Sequence, residues 1–162
     1  MPLDVRSPAF EDGDEIPVRY TCDGENISPA IDWSGVSQET QSLALLMEDP
    51  DAPSGTFTHW TIYNIPRGID GLPEDVPRDE RLPDESRQCT NSSGKTGYTG
   101  PCPPPGGGSH RYYFNVYALD AEILLSNGAT REEFLGAIKD HVIDEGKLMG
   151  RYQRRQARAT NT

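Results

Sequence analysis

Hydrophobic positions gather in three short runs of strand length and in one segment with helical spacing. Residues 57–65 (FTHWTIYNI) are rich in β-branched and aromatic side chains, which fill a pleated, half-buried surface well, and so read as a strand. At period two, Phe57, His59, Thr61 and Tyr63 share one of its faces and Thr58, Trp60, Ile62 and Asn64 the other. Residues 110–119 (HRYYFNVYAL) are apolar or aromatic at nearly every position, as expected of a central strand covered on both sides. There His110, Tyr112 and Phe114 point one way. Residues 41–48 (QSLALLME) have helical propensity, but eight residues running into Asp49-Pro50 suit a buried strand better. In the helical segment, Thr130-Arg-Glu-Glu133 forms a capping box, and Phe134, Leu135, Ile138 and Val142 follow at helical spacing. The expected helix runs from about 131 to 142, with His141 in its last turn, where an imidazolium suits the helix dipole and has a structural role.

Between these elements the chain is punctuated. Turn formers (Asp12-Gly13, Asp23-Gly24, Ser28-Pro29, Ser34-Gly35) divide residues 1–40 into edge strands and loops, with residues 16–21 extended. Residues 147–152 could form a last short strand. Residues 66–109 hold an acidic, Pro-punctuated half and then GKTGYTGPCPPPGGGS, a rigid rim in which Gly permits close backbone approach and leaves N–H groups open. The pattern implies a mostly β domain with one helix, over residues 1–155, and a flexible Arg-containing tail at 156–162. A length of 162 residues fits one domain.

Charge narrows the possible partners. The formal net charge is −11 and the pI about 4.6, so nucleic acid and stable association with anionic membranes are excluded. All acidic residues precede position 151, and residues 151–162 hold Arg151, Arg154, Arg155 and Arg158. The 14 Asp against three Lys fit either a salt-adapted surface or drift in a GC-rich genome. No apolar leader or membrane-spanning run is present, which implies a cytoplasmic protein. Cys22, Cys89 and Cys102 are odd in number and lack CxxC spacing, as reduced thiols would, with a Cys22–Cys89 bridge as the alternative.

Two clusters carry candidate chemistry. In Asp49-Pro-Asp51-Ala-Pro, followed by His59-Trp60, two carboxylates lie at i and i+2, on one side of an extended backbone. In Gly-Pro-Cys102-Pro-Pro-Pro-Gly-Gly-Gly-Ser-His110-Arg-Tyr112, a His and a Tyr share one face at the start of a central strand. His59, His110 and Asp49 match a two-His-one-carboxylate metal set, though without HxH or HExxH spacing. Alternatively, Asp49 orients His59 and Cys102 is a nucleophile, or both histidines are hydrogen-bonded core residues and the carboxylates cap turns. The remaining reading is an anion pocket, in which His side chains and loop N–H groups donate to phosphate or carboxylate.

DPDAPSGTFTHWTIYNIP and GYTGPCPPPGGGSHRYYFNVYALD closely resemble the two signature regions of the phosphatidylethanolamine-binding protein family, in its bacterial and archaeal Raf kinase inhibitor-like (YbhB/YbcL-type) branch. AFEDGDEIPVRYTCDGENISPAIDW and the closing helix with LMGRY also look like that branch. The resemblance implies a large antiparallel β-sheet packed on a smaller one, with few helices. It implies a pocket for phosphate, acetate or a phospholipid headgroup, bound by Asp49, His59, Pro103, Pro104, His110 and Tyr112. Asp51 would brace this site, Cys102 would line it, and Ala52-Pro53 would be a cis bond. No cofactor or metal is implied. Animal members carry a further helix that gates the pocket, where this sequence has its Arg-rich tail. The expected function is a non-enzymatic, regulatory anion-binding module. A protein inhibitor of a kinase or protease, docking a phosphorylated group, is the alternative; a hydrolase using His59 and Cys102 is the weaker one. Members of the branch are often dimers, so a homodimer is expected.

Overall fold

Each apolar run becomes a strand whose inward side chains are buried. In the computed structural model, which describes residues 2–154, the strands are β1 (Asp4–Arg6), β2 (Ile31–Ser34), β3 (Ser42–Asp49), β4 (Phe57–Pro66), β5 (Gly71–Leu72), β6 (Arg87–Gln88), β7 (His110–Leu119) and β8 (Val142–Tyr152), with helix α1 (Arg131–Ile138) between β7 and β8. They build a five-stranded antiparallel sheet in the order β6-β4-β3-β7-β8 and a three-stranded one in the order β1-β2-β5. The main core lies between the sheets and joins Val5, Ile31 and Trp33 to Leu45, Met47, Trp60 and Phe114. A second core on the far face of the large sheet packs Leu46, Tyr63 and Leu119 under Phe134 and Ile138 of α1. This is the mostly β, two-sheet architecture expected; the tail at 156–162 lies outside the described residues.

Several boundaries differ from expectation. The capping box forms as read, with Glu133 N–H donating to Thr130 Oγ1 at 3.1 Å and Thr130 N–H to Glu133 Oε1 at 2.8 Å. Yet α1 ends at Ile138, not 142, and the last strand starts at Val142, not 147. The reason is β7, whose free edge pairs from Leu119 opposite Val142 to His110 opposite Tyr152. That ladder satisfies more backbone groups than one further helical turn would. His141 therefore lies off the helix, 2.8 Å from Asp120. Residues 16–21 are not fully extended either, because Val18–Tyr20 form a 3-10 turn.

The period-two faces of β4 are also broken. Glu48 sits opposite Thr58 and Met47 opposite Trp60, then Leu45 opposite Ile62 and Leu43 opposite Ile65, so β4 holds one extra residue at each of two places. Each bulge exchanges the faces that follow it. Trp60, Ile62 and Ile65 thereby join the core between the sheets, while Phe57 and His59 line a cavity at its end. At the second bulge Asn64 has φ 56°, a left-handed conformation that Asn tolerates, and its amide pairs with the Ile123 backbone. The long 66–109 segment is pinned rather than loose. Gln88, for example, accepts from Trp60 Nε1 and donates to the Pro77 and Asp79 carbonyls.

Candidate functional site

Because β3 runs antiparallel to both β4 and β7, the end of β3 and the starts of β4 and β7 meet at one end of the large sheet. This places Asp49, His59, His110 and Tyr112 together. They line a cavity of about 330 Å³ with Ala52, Pro53, Phe57, Ser93, Thr99, Gly100, Cys102, Pro103 and Pro104. Every ligand-binding residue expected from the sequence is thus at the cavity.

Asp49 is 3% exposed, and its carboxylate is already occupied by protein donors. Asp51 N–H donates to Oδ1 at 2.7 Å, His110 Nδ1 lies 2.7 Å from Oδ2, and the Tyr112 hydroxyl bonds the same group. Asp49 therefore orients His110 and leaves the other ring nitrogen, Nε2, for the cavity. Burial, with Asp49 second, holds the Tyr112 phenol protonated far above its usual range. His110 and Tyr112 stack with ring centres 6.3 Å apart and an interplanar angle of 24°.

His59 is held differently. Its Nδ1 donates to the Thr99 carbonyl at 2.7 Å, and Thr99 N–H returns a bond to the His59 carbonyl at 3.0 Å. Burial pulls its pKa down to about 4, outweighing the Thr99 bond and the Asp49 charge, so the ring is neutral near pH 7. Phe57 and Tyr112 pack against it, with centroids at 4.7 and 5.2 Å.

The rim is tied to the loop before β2. Cys102 forms a disulfide with Cys22, Cys22 N–H donates to the Pro101 carbonyl at 3.1 Å, and Gly100 N–H donates to Asn26 Oδ1 at 2.8 Å. Three expectations are corrected here. The cysteines are not all reduced, and Cys22 pairs with Cys102, not Cys89; Cys89 is free and buried, with its thiol pushed up to about 11 by burial. Cys102 has no thiolate to offer as a nucleophile. The rim is also poor in donors, because the prolines have no N–H and those of Gly100, Gly106 and Gly107 are spent on protein acceptors.

No peptide bond among the described residues is cis, so Ala52-Pro53 is trans. The two carboxylates of the first motif diverge rather than share a side, because the chain turns at residues 50–51. Asp51 instead accepts from Arg111 Nε and Nη2 at 2.9 and 2.8 Å, which braces the start of β7 from outside and holds the Asp51 carboxyl down to about 2. Among the described residues, no group of three or more His, Cys, Asp or Glu side chains is placed to hold a metal ion.

The family model for phosphatidylethanolamine-binding protein matches residues 6–153. The chain belongs to the phosphatidylethanolamine-binding protein family. Within it, the UPF0098 protein of Methanothermobacter thermautotrophicus is 53% identical over 94% of this chain and 99% of its own. The solved phosphatidylethanolamine-binding protein homolog CT736 of Chlamydia trachomatis superposes with a TM-score of 0.85 at 37% identity, over 94% of this chain and 98% of that one. YbcL of Escherichia coli, described as a new member of the mammalian PEBP family, gives a TM-score of 0.88 at 31% identity, over 94% and 99%. These relatives place the chain in the YbhB/YbcL-like branch. Among the described residues of this family member, no helix is long and apolar enough to cross a membrane.

Sequence reasoning missed Thr99, Phe57 and the Cys22–Asn26 loop. Phe57 had a signal, sharing a face with His59. Thr99 acts through its backbone carbonyl and Asn26 through its side-chain Oδ1, both in irregular segments, where no periodicity marks them.

Proposed function

We propose that this phosphatidylethanolamine-binding protein family member is a non-enzymatic module that captures a small anion, phosphate-like or carboxylate, in a regulatory role. The observation that carries this reading is the Asp49–His110 pair, which leaves His110 Nε2 for a mostly apolar cavity of about 330 Å³. That volume suits a headgroup-sized ligand. A free anion and a phosphorylated side chain of a partner kinase or protease present the same group to the pocket. The weaker alternative, hydrolysis through Cys102, loses support from the Cys22–Cys102 disulfide. That disulfide suits an oxidising compartment or a hyperthermophile interior, so the cysteines do not support a cytoplasmic placement.

Titration with inorganic phosphate, followed through the histidine ring resonances, tests the reading. Shifts at His59 and His110 should saturate at millimolar phosphate and disappear in His110→Ala. Unmoved histidine resonances would refute the pocket.

A further inference from the structure

The two imidazoles of the cavity are wired differently. His110 is backed by Asp49 at 2.7 Å, so a proton on its Nε2 can be donated inward. His59 is backed by the Thr99 carbonyl at 2.7 Å. A carbonyl has no proton to give, so His59 Nδ1 keeps its hydrogen, and in the neutral ring Nε2 is a bare acceptor. Burial opposes a second proton there, since the residue is 5% exposed and its pKa lies at about 4. The groups facing His59 are the Asp49 carboxylate, the His110 ring and the protonated Tyr112 phenol. With His110 protonated, its charge and that of Asp49 cancel. Pro103 and Pro104 have no N–H to add, and Cys102 is bonded to Cys22. The two imidazoles thus present one donor, at His110, and one acceptor, at His59, beside the Asp49 carboxylate, which suits a dianion poorly.

We propose that this pair selects a ligand with an O–H and an anionic oxygen on the same centre, namely a phosphomonoester or inorganic phosphate in its singly charged form. The ligand O–H donates to His59 Nε2, and its anionic oxygen accepts from His110 Nε2. A phosphodiester of the same charge has no O–H, so it sets an anionic oxygen against the His59 lone pair unless that buried ring is protonated. The fully deprotonated monoester meets the same obstacle. This inference rests on the anion-pocket reading and adds to it the esterification and protonation state of the ligand.

Calorimetry and ¹⁵N imidazole spectra of the full chain with methyl phosphate and dimethyl phosphate provide the test. At about pH 5.5 both ligands carry one negative charge, because the second ionisation of a phosphomonoester lies near pH 6. Methyl phosphate should bind at least tenfold more tightly there, with His59 remaining the Nδ1–H tautomer. Above that ionisation methyl phosphate becomes a dianion, while dimethyl phosphate keeps its single charge. The preference for methyl phosphate should therefore fall about tenfold per pH unit above the ligand ionisation. Equal affinities at about pH 5.5, a preference that persists at about pH 8, or a His59 imidazolium in the methyl phosphate complex would overturn the inference and leave the anion pocket standing. Binding of glycerophosphoethanolamine, a diester with an ammonium donor, as tightly as methyl phosphate would also overturn it. If neither methyl ester perturbs either histidine at millimolar concentration, the anion pocket itself falls, and this inference with it.

Discussion

His59 has a pKa of about 4 in the folded protein, against the ordinary 6.5. Between those two values the unfolded chain binds a proton that the native state refuses, so stability falls as pH drops from about 6.5 toward 4 and then levels off. At 1.36 kcal/mol per unit, the loss is on the order of 3 kcal/mol. Urea midpoints near pH 7 and pH 4.5 check this by difference. His59→Gln, which keeps an N–H for the Thr99 carbonyl, should lose about 2 to 3 kcal/mol less than the parent over that interval. An equal loss in both would remove His59 as the cause. The Asp51–Arg111 pair acts in a lower window, since Asp51 is held at about 2 and its contribution is lost only below the ordinary carboxylate range of 3.8. Its partner is fully exposed, so solvent screens that contribution.

At the scale of elements, β8 is the edge strand of the large sheet, and the N-terminal segment covers its edge. Leu3 N–H donates to the Glu145 carbonyl, Gly13 N–H to that of Met149 and Ile16 N–H to that of Arg151. The crossing requires Gly146, where an added Cβ would collide with the Leu3 backbone carbonyl. Gly136 in α1 is the opposite case, since a Cβ there meets nothing within 4 Å. Gly146→Ala should therefore cost about 1 to 3 kcal/mol through overpacking against backbone. Gly136→Ala should gain roughly 0.5 to 1 kcal/mol from helix propensity. Thermal or urea unfolding of the two variants reads both signs, and a neutral Gly146→Ala would mean that the N-terminal segment does not sit on β8 as described.

For the whole molecule, the Cys22–Cys102 disulfide closes a loop with a sequence separation of 80 and joins the first loops to the pocket rim. Its restriction of the unfolded chain stabilises the fold by roughly 2 to 4 kcal/mol. The double variant Cys22→Ala/Cys102→Ala should lose that amount in urea unfolding. Alkylation gives an independent check: no thiol should react in the native protein, one (Cys89) after unfolding, and three after unfolding with reductant. Reaction of three thiols without reductant would exclude the bridge. The net charge of −11 opposes any anion approaching the pocket from a distance, so affinity has to come from the local donors.

Much of this protein could be read locally. The composition of residues 57–65 and 110–119 determines strands because β-branched and aromatic side chains favour a pleated surface, and Thr130 with Glu133 determines where the helix starts because both ends of that bond lie within one turn. The two motifs likewise contain the pocket residues Asp49, His59, His110 and Tyr112. What no local pattern could decide was anything that needs two distant segments at once. The β4 bulges depend on the register against β3, the end of α1 on the open edge of β7, and the partner of Cys22 on where the rim folds over. The same holds for the two histidines. Sequence placed both near a pocket, but only the tertiary structure put a carboxylate behind one ring and a carbonyl behind the other, and that difference decides which ring can donate and which must accept.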